Sequence, residues 1–207
     1  EVLARVPQGA RALHFGSYAM VVEKAASAQR ALIEREHERG DRGALISYDP
    51  NIRPTVEPSL QVWRDALTWM LPRTHLLKIS EEDVGLLFPG AALAELASAW
   101  LAQGPRLVVI TRGGEGALGF TASAQVQAAP VRVEVIDTVG AGDTFQAAML
   151  TWLAEQERLS MDGVSRLDRE AGPTVAMIHV PTSCRHCEHP HCMADCPPNA
   201  LHRAETG

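Results

Sequence analysis

The sequence predicts an α/β fold, a largely parallel sheet with helices on both faces, followed by a short cysteine-rich tail. Three observations lead there. Short β-rich runs alternate with amphipathic helical stretches from residue 11 to about residue 157. Glycines, carboxylates and asparagine collect just after the strand-like runs, where open α/β sheets bind their ligands. All four cysteines fall between positions 184 and 196, so the end of the chain carries different chemistry from the rest.

The elements follow in order. Ala12-Leu13-His14-Phe15 reads as a strand ending at Gly16-Ser17, and residues 23–38 as a helix closed by Gly40. Residues 44–48 form the next strand, closing on Asp49-Pro50-Asn51, whose composition is turn chemistry in any protein. A helix over residues 60–70 leads to a strand over residues 75–79. Ser80-Glu81-Glu82-Asp83 opens a short helix, since a serine cap followed by acids suits the helix dipole. A second helix covers residues 91–102. Residues 106–111 read as a buried strand followed by Gly113-Gly114, and segments around 117–135 as antiparallel strands. His14 reads as a strand residue satisfied by its neighbours.

Composition narrows the function classes. Apolar residues make up 46% of the 207 and charged residues 21%, ordinary values for a globular protein with a core. A net charge of -6 and the lack of any Lys/Arg-rich run argue against a nucleic-acid binder. No apolar stretch approaches the ~20 residues that span a bilayer, and the N-terminus lacks the pattern of a secretory signal. A cytoplasmic protein with no membrane partner is expected.

The chemistry centres on Asp137-Thr138-Val139-Gly140-Ala141-Gly142-Asp143-Thr144-Phe145. Two glycines flanking an alanine let the backbone turn sharply, and the apolar run that follows continues as a helix opening after Gly142. Amides at a helix N-terminus have no intrahelical partner and attract anions. Asp143 beside them reads either as a helix cap or as a functional carboxylate.

The longer string resembles the C-terminal signature of the PfkB (ribokinase-like) carbohydrate kinases. Four more blocks resemble family motifs in family order. They are Leu13-His14-Phe15-Gly16-Ser17, Asp49-Pro50-Asn51-Ile52-Arg53-Pro54, Lys78-Ile79-Ser80-Glu81-Glu82-Asp83 and the run from Val109 to Ala117. The second and third look most like the bacterial fructokinase branch. The resemblance covers residues 1–157 and implies a ribokinase-like sheet, ATP with Mg²⁺ as the phosphoryl source, and a sugar, fructose by branch, as acceptor. It implies that Asp143 is the base, and that the amides of Gly140, Ala141 and Gly142 hold the charge of the transferring phosphoryl group. It places Thr111 and Gly113 along the nucleotide phosphates, and Asn51 and Arg53 on the sugar side. Ser80 and Asp83 stand where the family carries an Asn-x-x-Glu motif for magnesium and phosphate geometry.

The family's first strand, glycine-rich sugar-binding stretch and β-lid have no counterpart in this sequence, nor do the segments that wall its adenine pocket. The resemblance therefore implies a partial domain and impaired turnover, with the oligomeric state left open. A fusion of two truncated coding regions, or an artefact of gene prediction, is the simplest account of the joined pieces.

The tail carries Cys184, Cys187, Cys192 and Cys196-Pro197, a C-x2-C-x4-C-x3-C-P run. Thiolates so closely spaced can converge on one soft metal centre, and proline after the last cysteine marks ferredoxin segments. Zinc is the alternative, with His186, His189 and His191 close by. The string resembles the iron–sulfur subunits of multi-cluster oxidoreductases over residues 173–204, which implies a 4Fe-4S cluster. The chain thus divides into a sugar kinase domain over residues 1–159, a polar junction over 160–172, and a ferredoxin-like segment over 173–207. Two other readings compete with the kinase: an iron–sulfur electron-transfer fragment, which would be brown, and a non-catalytic remnant that binds nucleotide or sugar. The remnant would be protected from heat by nucleotide without turning it over.

Overall fold

Alternation along five-residue strands sorts the side chains onto two faces of one sheet. β1 (Ala12–Gly16), β2 (Leu45–Asp49), β3 (Leu76–Ser80) and β4 (Leu107–Thr111) run parallel, each beside its predecessor. β5 (Ala117–Phe120) and β6 (Gln125–Ala128) add antiparallel neighbours, so that the described residues form a six-stranded sheet in chain order. The computed structural model describes residues 10–130, 139–158 and Val164. The four cysteines and the expected ferredoxin-like segment lie outside the described residues, as do the expected junction (Val164 excepted) and residues 131–138.

Four helices cover one face: α1 (Ala25–Glu38), α2 (Leu60–Met70), α3 (Glu81–Leu87) and α4 (Leu93–Leu101). α2 shows why. Trp63, Ala66, Leu67 and Met70 recur at helical spacing and are all buried, while the polar residues face out. They join Phe15, Ile46, Tyr48, Leu77, Ile79, Val108 and Ile110 in the larger core. The intervening strand residues Leu45, Leu76 and Val109 point the other way and meet Met149 and Leu153 of α5 (Ala141–Glu155). Both faces are covered, as expected of a mostly parallel sheet.

Two local devices fix the joints. Glu36, buried at the end of α1, accepts hydrogen bonds from Arg35, Arg39 and the Ala44 amide, tying that helix to the entry of β2. Burial works to raise its carboxyl pKa, but the Ala44 amide and the two arginines together hold it below the usual value. Ser80 caps α3 as expected, its Oγ accepting the Asp83 amide at 3.0 Å. Among the described residues no helix is long and apolar enough to cross a membrane.

Candidate active site

The carboxyl ends of β1 and β2 and the N-terminus of α5 enclose a cleft of about 170 Å³, lined by His14, Gly16, Ser17, Asp49, Asn51 and Asp143. Gly16 and Asp49 are cross-strand partners. The glycine is needed for clearance, since a Cβ there would stand 2.5 Å from the Asp49 carbonyl oxygen. Beyond Asp49 the chain turns through Asn51 at φ 42, a left-handed conformation that asparagine tolerates better than most residues. The Asn51 carbonyl accepts from the Ser17 hydroxyl at 3.4 Å, holding the two loops together.

α5 begins two residues earlier than the sequence suggests, at Ala141 rather than after Gly142. Gly140 caps it at φ 74, and this left-handed turn places Ala141 and Gly142 in the first helical turn. Asp143 is exposed in that turn and faces the cleft. One turn on, buried Gln146 donates through Nε2 to Ser47 Oγ at 2.6 Å, and Ser47 Oγ lies 3.2 Å from His14 Nδ1. Ser47 Oγ accepts from Gln146 and can still either donate to His14 Nδ1 or accept from it, according to the tautomer of that ring. Burial holds the His14 pKa below its ordinary value, against the pull of Asp49 and Asp143.

Deeper on this face, Lys78 Nζ lies 2.5 Å from Asp49 Oδ2, with the two side chains 4% and 5% exposed. Asp49 Oδ1 is buried with no hydrogen-bond partner. Asp83 is buried too, and its Oδ1 accepts the Ile52 amide at 3.2 Å. Desolvation raises its pKa, with Ser80 and the Ile52 amide pulling the other way and Asp49 adding to the rise.

Of the residues named from sequence, Asn51 and Asp143 line the cleft and Gly140, Ala141 and Gly142 form the helix start beside it. Ser80 and Thr111 are register partners at the ends of β3 and β4, with Gly113 just beyond at φ 52. Asp83 is engaged with the 49–53 turn, and Arg53 is exposed and donates to the Ile52 carbonyl at 2.9 Å. None of these last five is part of the cleft lining. Sequence reasoning passed over Lys78 and Asp49 as partners; His14 is a strand residue with Ser47 beside its Nδ1, as read, and it also lines the cleft. The available signal was a lysine inside the apolar run Leu76-Leu77-Lys78-Ile79, because a buried charge demands a counter-charge.

The donor set suits a nucleotide with magnesium. The start of α5 offers unpaired amides to phosphate, and Asp49 and Asp143 supply hard oxygens. Among the described residues no three carboxylate, histidine or cysteine side chains converge on one point. Magnesium fits such a site, since it keeps several waters and takes one or two carboxylates together with substrate phosphates.

Comparison with known proteins places this geometry. The family model described as "pfkB family carbohydrate kinase" matches residues 8–161. A fructokinase of Rhizobium leguminosarum bv. trifolii is 37% identical over 160 residues, which are 77% of this chain and 48% of that protein. Fructokinase-2 of Zea mays is 31% identical over 152 residues, 72% of this chain and 44% of the relative. Among solved structures, a fructokinase of Vibrio cholerae O395 with fructose, ADP and calcium bound superposes with a TM-score of 0.65 at 28% identity. That match covers 80% of this chain and 55% of the other. The chain therefore spans about half the length of the relatives it matches.

Proposed function

The chain belongs to the pfkB family of carbohydrate kinases, and on that premise we propose that it carries the phosphoryl-transfer site of an ATP-dependent sugar kinase, with fructose as the favoured acceptor. The observation that carries the reading is Asp143 exposed at the start of α5, facing across one cleft the polar groups of Asp49 and Asn51.

In this reading the sugar lies in the cleft with one hydroxyl toward Asp143. The Asp143 carboxylate takes the hydroxyl proton as the oxygen attacks the γ-phosphorus and the bond to ADP breaks. A base so placed contributes about 10²–10⁴-fold. The amides of Gly140, Ala141 and Gly142 stabilise the charge on the transferring group, a role worth roughly 3–4 kcal/mol per donor in comparable sites. Asn51 orients the sugar from the opposite wall. Arg53 follows on the same turn and serves the sugar side from outside the present lining. Thr111 and Gly113 run along the nucleotide phosphates at the neighbouring strand ends. Magnesium, when bound, neutralises phosphate charge. Ser80 and Asp83 act on that geometry indirectly, because their side chains are engaged in capping α3 and in holding the Ile52 amide.

The test is ADP formation from ATP and Mg²⁺ across a panel of sugars, beside Asp143→Ala. Turnover by this chain is expected to be weak, and whatever fructose-dependent turnover it shows should fall about 10²-fold or more in the variant. Equal turnover in the two proteins would sink Asp143 as base, and a folded chain that neither binds nor turns over ATP would sink the kinase reading.

The cysteine run supports a separate proposal. Cys184, Cys187, Cys192 and Cys196 supply four thiolates, a donor set suited to a 4Fe-4S cluster, with zinc as the competing metal. Reconstitution with iron and sulfide should give a brown protein with bound iron. Stoichiometric zinc in the protein as purified, with no uptake of iron, would overturn the cluster.

A further inference from the structure

Lys78 sits in the middle of β3 among apolar neighbours, and its side chain crosses the buried face toward two partners. One is Asp49, which accepts one of the three ammonium protons. The other is the start of α5: a Cβ placed on Gly142 would meet Lys78 Nζ at 2.9 Å and Cε at 4.0 Å. Gly142 lies within a regular helical turn and has no left-handed φ to accommodate. Gly142 therefore packs directly against the lysine head group, and a side chain here would have to move the end of that lysine away from Asp49.

The electrostatics are unusual. A cation beside a helix N-terminus opposes the dipole and is normally unfavourable. Here one oxygen of Asp49 balances it, while the other is buried without a partner at the cleft that Asp143 also lines. The arrangement becomes favourable when an anion arrives at the same end of the helix.

We propose that Lys78, held by Asp49, is a positioning residue for the phosphate loop. Its ammonium sets the seat of Gly142, and so aims the Gly140–Gly142 amides at the triphosphate of the nucleotide. The inference rests on the kinase reading above and adds to it a residue that acts through the loop rather than on the sugar.

The experiment is titration calorimetry with ATP and with AMP, both in EDTA, so that the oxygens Asp49 offers to magnesium do not enter. It compares the unaltered chain, the charge-neutral double variant Lys78→Met/Asp49→Asn, and Gly142→Ala. The double variant removes both buried charges together, so the fold is not left with one of them unpaired. Gly142→Ala keeps both charges and displaces the loop from the ammonium. ATP affinity should fall about tenfold or more in each, the scale of one lost charge-assisted hydrogen bond, while AMP affinity stays within about twofold.

If the folded double variant binds ATP like the unaltered chain, Lys78 only fills the core and the proposal fails. Equal losses for ATP and AMP would mean general loosening and would overturn it too. Should the double variant not fold, Lys78→Arg, which keeps the ion pair with Asp49 but moves the charge from Gly142, decides by the same two criteria. An unaltered chain that binds neither nucleotide defeats the kinase reading itself, which is a different result from variants that match a binding parent.

Discussion

Acidification should unfold this protein through His75, and the structure sets the size of the effect. His75 precedes β3 and joins three strands. Its Nδ1 accepts the Ile46 amide at 2.8 Å, its own amide donates to the Ile46 carbonyl at 2.8 Å, and its carbonyl accepts the Arg106 amide at 2.8 Å. Protonating Nδ1 would remove the acceptor and leave the Ile46 N–H facing a cation. Burial, with smaller contributions from His37 and Arg106, lowers the His75 pKa from 6.5 to about 4. The folded pKa lies below the unfolded one, so between these values the unfolded chain binds more protons. Stability is fully present above pH 6.5 and is lost as pH falls toward 4. Linkage gives a loss of about 0.8 kcal/mol at pH 6 and about 2 kcal/mol at pH 5, relative to pH 8. The assay is urea unfolding at pH 8, 6 and 5 for the parent and for His75→Asn, whose side-chain oxygen can accept the Ile46 amide but does not titrate. His14 and the carboxylates titrate in both proteins, so the difference between the curves belongs to His75. Parallel pH profiles would refute the reasoning, as would an NMR titration that places His75 at its ordinary value.

Three further outcomes follow from packing. Lys78→Met alone leaves Asp49 charged and buried, and should cost about 3–5 kcal/mol in urea unfolding, most of it recovered by adding Asp49→Asn; a loss under about 1 kcal/mol would mean that water reaches the pair. Gly16→Ala must push the β2 backbone away from a Cβ 2.5 Å from the Asp49 carbonyl oxygen, and should destabilise by about 1–3 kcal/mol; an unchanged denaturation midpoint would contradict that contact. Ser47→Ala strands the Gln146 amide in a buried site, costing about 1–3 kcal/mol, and should speed amide hydrogen exchange in the first turns of α5, whereas unchanged exchange there would show that the helix is held by other contacts.

Much of the scaffold was legible because its strands and helices are separated by unambiguous punctuation. The helix at Leu60–Met70 was read to its ends, since its apolar spacing is clean. The strand closing on Asp49 was placed within a residue, because a continuous apolar run stops at Asp-Pro-Asn. The start of α5 lies two residues before the place the sequence suggests, because the reversal comes from the left-handed φ of Gly140 rather than from Gly142, and the sequence offers two glycines for one task. The site was half legible. Asp143 and Asn51 announce themselves through local motifs. Lys78 with Asp49, and Ser47 with Gln146, are pairs brought together across 29 and 99 residues, and no local pattern states which distant side chain will meet which.

The chain-order sheet also bears on how the protein is made. Each strand docks on the one synthesised just before it, so the sheet can grow at one edge as the polypeptide emerges from the ribosome, with short loop closures throughout. α5 breaks that pattern. It returns across the six described strands to β1 and β2, and only then does Gln146 find Ser47 and does Asp143 close the cleft. The start of α5 is thus added to the cleft after the strands that form its other wall, so nascent chains arrested before residue 140 would already hold the six strands, with Asp49 and Asn51, but lack the Gly140–Gly142 turn and Asp143.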